Sequence, residues 1–194
     1  MSTLKVDTIL KRTGTGTITV GQSGDTISIP SGATLNSAGT NTLSGIANTP
    51  SFIATKTSSQ TGVSDNSFTK VTWDSVVHDS NSGFSTSDNR YTIPSGEGGV
   101  YQISFSNLMY GASANFNYAQ TRLYKNGSYL SPYVMELNYD NSNANGETYH
   151  PFMSICVSLA AGDYIEVYGR LDVSSGNVTF GVEDVFSGFK LIGA

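Results

Sequence analysis

"PFMSICVSLAAGDYIEVYGRL", residues 151–171, decides the fold. In its first half Met153, Ile155, Val157 and Leu159 alternate with Phe152, Ser154, Cys156 and Ser158. A two-residue period puts the two sets on opposite faces of a strand. Ala-Ala-Gly-Asp then supplies turn residues, and a second run places Ile165, Val167 and Leu171 together on one side. The stretch predicts two strands joined by a turn, each with one face turned to a core.

The same pattern extends upstream. In "GVYQISFSNLMYG", residues 99–111, Tyr101, Ile103, Phe105 and Met109 share one parity, and in "VTWDSVVHD", residues 71–79, Val71, Trp73 and Val77 are expected to face one way. Between "AQTRLY" and "SYLSPYVMEL" lies Lys125-Asn126-Gly127-Ser128. Asn-Gly provides the positive φ angles of a type I′ hairpin turn. No window carries a sustained helical stripe, and strands recur about every 8–14 residues between turn signals. The expected fold is all-β: an antiparallel sandwich over 51–194, behind a distinct segment, 1–50.

Composition narrows the function. The chain has 194 residues, a formal charge of −5 and 13% charged residues, about half the usual share. Residues 1–50 carry Lys5, Lys11 and Arg12 against Asp7 and Asp25, which leaves −6 on the remainder. Without a basic run, a nucleic-acid partner is not expected. "MSTLKVDTILKR" lacks the apolar centre of a signal peptide, and no apolar run reaches membrane-spanning length, so synthesis in a cytoplasm without membrane insertion is expected. The single Cys156 forms no intrachain disulfide and reads as a small strand residue.

The end of the chain carries a resemblance. "LAAGDYIEVYGRL" followed by the terminal "VFSGFKLIGA" is similar to the last strands of the globular head of complement's first component, which has the jelly roll of tumour necrosis factor. "WDSVVHDSNSGFS", "YTIPSGEGGVYQISFS" and "TRLYKNGSYL" extend it, in order, over 52–194. The resemblance implies a compact homotrimer packed through aromatic and apolar residues, and a head that binds rather than catalyses. Tyr101, Phe105, Tyr168, Phe186 and Phe189 are the residues expected to supply head-core and inter-subunit contacts.

The front segment departs from that family, whose animal members carry a collagen stalk. No aromatic residue precedes Phe52, and Ile18, Ile27, Leu35 and Leu43 recur at spacings of 9, 8 and 8 residues around "GQSGD", "PSGA" and "SAGTN". One such chain has too little apolar side chain to offset its ordering entropy, whereas three wound together share those rungs along an axis. The opening "STLKVDTI" and the Thr/Gly-rich run behind it resemble virion fibre and appendage proteins of tailed phages, particularly those of marine bacteria. This resemblance implies a β-rich, intertwined shaft or anchor using Leu4, Val6, Ile9, Ile18 and Ile27. It also implies a trimeric tail fibre, head fibre or capsid decoration on the virion surface after synthesis in the bacterial host cytoplasm, with other virion proteins as partners. The alternative is a lectin-like binding module outside any virion.

Sites of chemistry are few. There is no nucleophile elbow, P-loop, zinc-type helix motif or Cys/His cluster. His78 adjoins Asp79, but strand neighbours point to opposite faces, and His150 precedes Pro151 at a strand start. An enzyme is not expected, nor is a cofactor. Asp140, Asn141, Asn143, Asn145 and Glu147 offer oxygens to a hard cation, but their spacing departs from a calcium loop, so no metal is expected. "NGS" at Asn126 is a formal glycosylation sequon whose turn role suffices. "GASANFNYA" and "LNYDNSNANGETYH" read as loops in which Phe116, Tyr118, Tyr139 and Tyr149, mixed with amides, suit contact with a host-surface glycan or protein.

Overall fold

The computed structural model describes residues 19–33, 49–111, 116–138 and 148–191. The chain divides into two compact units, Met1–Gly45 and Ile46–Ala194. Leu4, Val6, Ile9, Ile18, Leu35, Leu43, Tyr139 and the Asp140–Glu147 loop lie outside the described residues.

In the first unit, residues 19–33 hold two tight turns. Asp25 N donates to Gln22 O and Ala33 N to Pro30 O, both at 3.0 Å. Gly24 and Gly32 occupy the third positions with φ of 93° and 84°, which side chains resist. The "GQSGD" and "PSGA" signals are thus turns, eight residues apart. No strand forms between them in the single chain, and Val20, Ile27 and Ile29 are exposed.

The second unit is an antiparallel sandwich with no helix among its described residues. One sheet runs β12 (Phe152–Leu159), β7 (Gly99–Ser106), β15 (Val185–Lys190), β1 (Ser51–Thr55), β4 (Ser75–Asp79). The other runs β10 (Ser128–Asn138), β9 (Phe116–Lys125), β13 (Tyr164–Val173), β6 (Arg90–Thr92), β5 (Phe84–Ser85), with β3 (Thr69–Lys70) also paired to β13. A short third sheet is ordered β11 (Thr148–Tyr149), β8 (Met109–Gly111), β14 (Val178–Phe180), β2 (Gln60–Val63). Most neighbours are distant in sequence, as crossed jelly-roll connections require.

The sequence alternation maps onto this architecture directly. Val157 and Leu159 are buried and Met153 and Ile155 half-buried, while Phe152, Ser154, Cys156 and Ser158 face out. Tyr101, Ile103, Phe105, Ile165, Val167 and Leu171 are all buried. Asn126 and Gly127 take φ of 52° and 75°, the two positive angles of the type I′ hairpin between β9 and β10.

Two expectations about facing need correction. Val77 does not join Val71 and Trp73. Residues 71–74 are irregular, β4 begins at Ser75, and the pairing of β1 with β4 slips between Ile53 and Ala54, so Val77 sits at a bulge and is exposed. The "FNYA" of "GASANFNYA" is not a loop either: Phe116–Lys125 is a ten-residue strand on β13.

Register also defines the two ends of the sandwich. At one end Ser51 faces Phe189, Leu159 faces Gly99 and Tyr164 faces Thr92, so the head's entry point and its last described residues lie together there. At the other, Phe116 faces Val173, Val178 faces both Gly111 and Val63, and Thr148 faces Tyr110. The chain therefore leaves β2, β8, β10 and β13 at the end opposite the entry.

Aromatic packing between the sheets centres on Phe52. Its ring stacks on Tyr91 at 4.0 Å and meets Phe186 edge-on at 5.1 Å, with Trp73 5.5 Å from Phe186. Replacing Phe52 by Ala in the full chain is expected to cost about 3–5 kcal/mol of unfolding free energy in a denaturant titration. A cost below about 1 kcal/mol would mean that this cluster does not organise the core.

Candidate functional site

Three features of the head have the geometry of a site: the outer face of the β12-to-β4 sheet, the end opposite the entry, and a buried polar row. The outer face is set by strand parity. With Phe52 and Ala54 inward, Ser51 and Ile53 point out, and with Phe186 inward, Ser187 and Phe189 point out. Ile53 and Phe189 are each 38% exposed, and Phe152, on the far edge strand, is 58% exposed. Between Ile53 and Phe189 lies a groove of about 400 Å³, lined also by Ser51, His78 and Ser187. Across it His78 Nε2 and Ser51 Oγ are 3.0 Å apart. Asp79 does not orient this His: its carboxylate accepts from the amides of Asn81 and Phe84. The middle of the face is polar, with Gln102 Nε2 donating to Ser154 Oγ at 2.6 Å and Cys156 Sγ to Gln102 Oε1 at 3.0 Å.

The structure separates the expected contact residues. Tyr101, Phe105 and Phe186 lie in the core between the sheets. Phe189 is on the outer face just described, whereas Tyr168 is on the outside of the other sheet, stacked on Tyr124 at 4.1 Å. That second surface covers itself. Arg122 lies between the rings of Phe68 and Tyr129, at 4.1 and 4.4 Å from their centroids, and Arg170 stands 5.0 Å from that of Tyr118.

Of the expected recognition residues, Phe116, Tyr118 and Tyr149 fall on strands at the end opposite the entry, and Tyr139 lies outside the described residues. Tyr118 sits within β9 and donates to Glu136 Oε2 at 3.0 Å; burial first, then this bond, holds its pKa up. Tyr149 is half-buried in β11 against Met109, at the edge of the short sheet. Phe116 opens β9 opposite Val173, and only its backbone is described.

The polar row was not singled out in the sequence. Lys56, Asn107 and Asp184 are all buried. Extending the pair Thr55 with Val185 by one residue, and the pair Phe186 with Phe105 by two, aligns them across β1, β15 and β7, with Asp184 in the middle. Asp184 accepts from Ser106 Oγ at 3.0 Å and Leu108 N at 2.9 Å, and its Oδ1 lies 2.9 Å from His150 Nε2. Burial pushes its pKa up, against those hydrogen bonds. Burial also lowers the Lys56 ammonium to about 8, against the attraction of Asp184 and Asp74. Neither Nδ2 nor Oδ1 of Asn107 has a hydrogen-bond partner among the described residues. A sequence signal existed: Asn107 continues the series Tyr101, Ile103, Phe105, and Lys56 continues Phe52, Ala54, so each is a polar residue at apolar parity.

No protein-family model matches the sequence, nor does any curated protein. Among solved structures, the chain is similar to Eiger TNF from S. frugiperda, with a TM-score of 0.55 at 13% identity, covering 74% of this chain and 93% of that one. It is similar to murine APRIL, with a TM-score of 0.50 at 12% identity over 73% and 98%. The globular domain of zebrafish complement 1qA aligns at 0.48 and 17% identity over 73% and 97%. The head has the jelly-roll fold of the Eiger TNF and APRIL structures.

At the entry end, Asp163 gives a pH prediction. Lys125 Nζ, Asn126 Nδ2 and Ala160 N converge on its carboxylate at 2.6, 2.8 and 2.7 Å. Led by the Lys125 hydrogen bond, they hold its pKa at about 2. A depressed carboxylate contributes stability above its unfolded value, and that stability is lost as pH falls from about 4 through about 2. Asp163→Asn should flatten this acid limb in thermal melts; a superimposable pH profile would count against it.

Proposed function

We propose that the chain is a structural protein of a tailed-phage virion: a homotrimeric short fibre or capsid decoration, held by residues 1–50 and displaying the jelly-roll head for attachment to the host surface. The observation that carries the self-association is the outer face of the β12-to-β4 sheet, where Phe152, Ile53 and Phe189 stand exposed on a single protomer. A net-acidic head rich in Ser and Asn gains solubility from polar surface, so bulky apolar residues left on one face favour burial against another copy. The groove lies near one edge of that sheet and Phe152 at the other. A contact between unlike edges is heterologous, and it closes into a ring when the rotation is right.

The virion role rests on the opening "STLKVDTI", on the turn-and-aliphatic rhythm behind it, and on the polarity of the head. Entry at one end and the outer ends of β8, β9, β10 and β11 at the other suit a head whose free end meets a surface. Three copies would multiply a weak single-site affinity by avidity. The role is one of binding, not turnover.

Light scattering on the purified chain is expected to give a trimer, and Phe189→Glu or Ile53→Glu to give folded monomers, since burying an unpaired charge at an interface centre costs more than about 2 kcal/mol. A wild-type monomer at micromolar concentration overturns the self-association. Purified particles should contain the full-length protein, and a form lacking residues 1–50 should fold but fail to attach. A head that decorates particles without that segment removes the anchor role, and absence from particles leaves the lectin-like module.

A further inference from the structure

We propose that Lys56 and Asn107 join their side chains in an intramolecular amide bond, with Asp184 between them as the proton carrier. The inference concerns the head alone and does not depend on the virion role. The three residues stand in one row on the inner side of the sheet, Lys56 just past β1, Asn107 just past β7, Asp184 at the start of β15. Two strand spacings, about 10 Å, separate the backbones of Lys56 and Asn107, a gap that a lysine and an asparagine side chain can bridge. Both converge on Phe180. Lys56 Nζ lies 5.6 Å from the centroid of its ring. A Cβ placed on Gly169 would collide with Asn107 Nδ2 and come within 2.8 Å of Phe180 Cζ. That glycine leaves room for the carboxamide beside the ring.

Each group is in the state that the reaction needs. A buried carboxamide without partners costs about 1–3 kcal/mol, which an acyl transfer to a neighbouring amine relieves in part. Lys56 makes one long hydrogen bond, 3.4 Å to Gln60 Oε1, and no ion pair among the described residues. With its ammonium at about 8, a neutral, nucleophilic fraction exists at pH 7. Asp184, its pKa raised by burial, can hold a proton, and His150 beside it is partly exposed and connects it to solvent.

The step balances without an added reagent. At rest Asp184 is hydrogen-bonded to Ser106, Leu108 and His150 and to neither reactant, so a side-chain rotation first brings its carboxyl to Asn107 Oδ1. The Nζ lone pair then forms a bond to Asn107 Cγ while the proton of Asp184 passes to that Oδ1. The resulting carboxylate takes a proton from Nζ and hands it to Nδ2. The bond from Cγ to Nδ2 breaks, ammonia leaves, and the proton on Oδ1 returns to Asp184 as the carbonyl reforms. Nothing is oxidised or reduced, and Asp184 ends as it began. Holding amine, acyl group and acid in one rigid row replaces a bimolecular encounter by an intramolecular one. The product ties β1, the strand by which the chain enters the head, to β7 across β15.

The test is the intact mass of the purified full chain after incubation at pH 8. It is expected to lie below the sequence mass by one ammonia, with a digest yielding a branched peptide that joins the segments containing Lys56 and Asn107. Lys56→Met and Asn107→Ala should each show their full mass, and trypsin should cut after residue 56 only in the Asn107→Ala form. Asp184→Asn, if folded by circular dichroism, should slow the loss at least about tenfold. The digest of the unaltered chain decides the matter even if a variant fails to fold. A folded wild type at full sequence mass overturns the proposal. So does an ammonia loss that persists in Lys56→Met, which would be cyclisation of another asparagine, and so does the loss of one water with a branch to Asp184.

Discussion

The stack of Phe52 on Tyr91, closed by the edge of Phe186, fixes the register of β1, and much of the head follows from that register. A strand has a period of two, so a slip of one residue exchanges its faces. With Phe52 inward, Ala54 and Lys56 are inward as well, and Ser51 and Ile53 line the outer groove. The core, the apolar outer face and the polar row are consequences of one choice. Each would be lost together if β1 shifted against β15.

The polar row shows how far a jelly roll can depart from an apolar interior. Asp184 is supported by a hydroxyl, a backbone amide and an imidazole, so its burial is offset by bonds from three separate segments. Lys56 and Asn107 lack comparable support, although both lie at the level of Asp184. A fold selected for stability alone would place apolar side chains there, because replacing buried polar groups by packed apolar ones is neutral or favourable. Retaining a lysine, an aspartate and an asparagine side by side is understandable when the three act on one another.

Much of this was legible in the sequence, and the failures have physical causes. Residues 151–171 and 99–111 announced their strands because period two persists over long runs, and Asn126-Gly127 announced its hairpin because few other residues accept two positive φ angles. Val77 was misassigned because a bulge shifts parity, and nothing local marks a bulge. The "FNYA" of "GASANFNYA" read as a loop since Asn is a turn residue, yet pairing with β13 on one side and β10 on the other carries it into a strand. Phe189 and Phe186 look equivalent in sequence; only the register of β15 tells that one faces out and the other in. The polar row was legible as a break in alternation, but a break can equally mark the end of a strand. Its meaning emerged when three such breaks met at one level.

The two outer faces of the sandwich differ in a way that bears on assembly. On the β10-to-β5 sheet several bulky side chains have partners in their own chain: Arg122 lies between two rings, Tyr124 stacks on Tyr168, and Lys70 pairs with Glu166. Aromatic rings capped by guanidinium groups keep favourable contacts while presenting polar edges to water. On the β12-to-β4 sheet the hydrogen bonds run among small polar residues in the middle, and Phe152, Ile53 and Phe189 stand at the flanks without such caps. The first surface is finished within one chain and the second is not. In the proposed assembly, burying the second against further copies leaves the first turned outward.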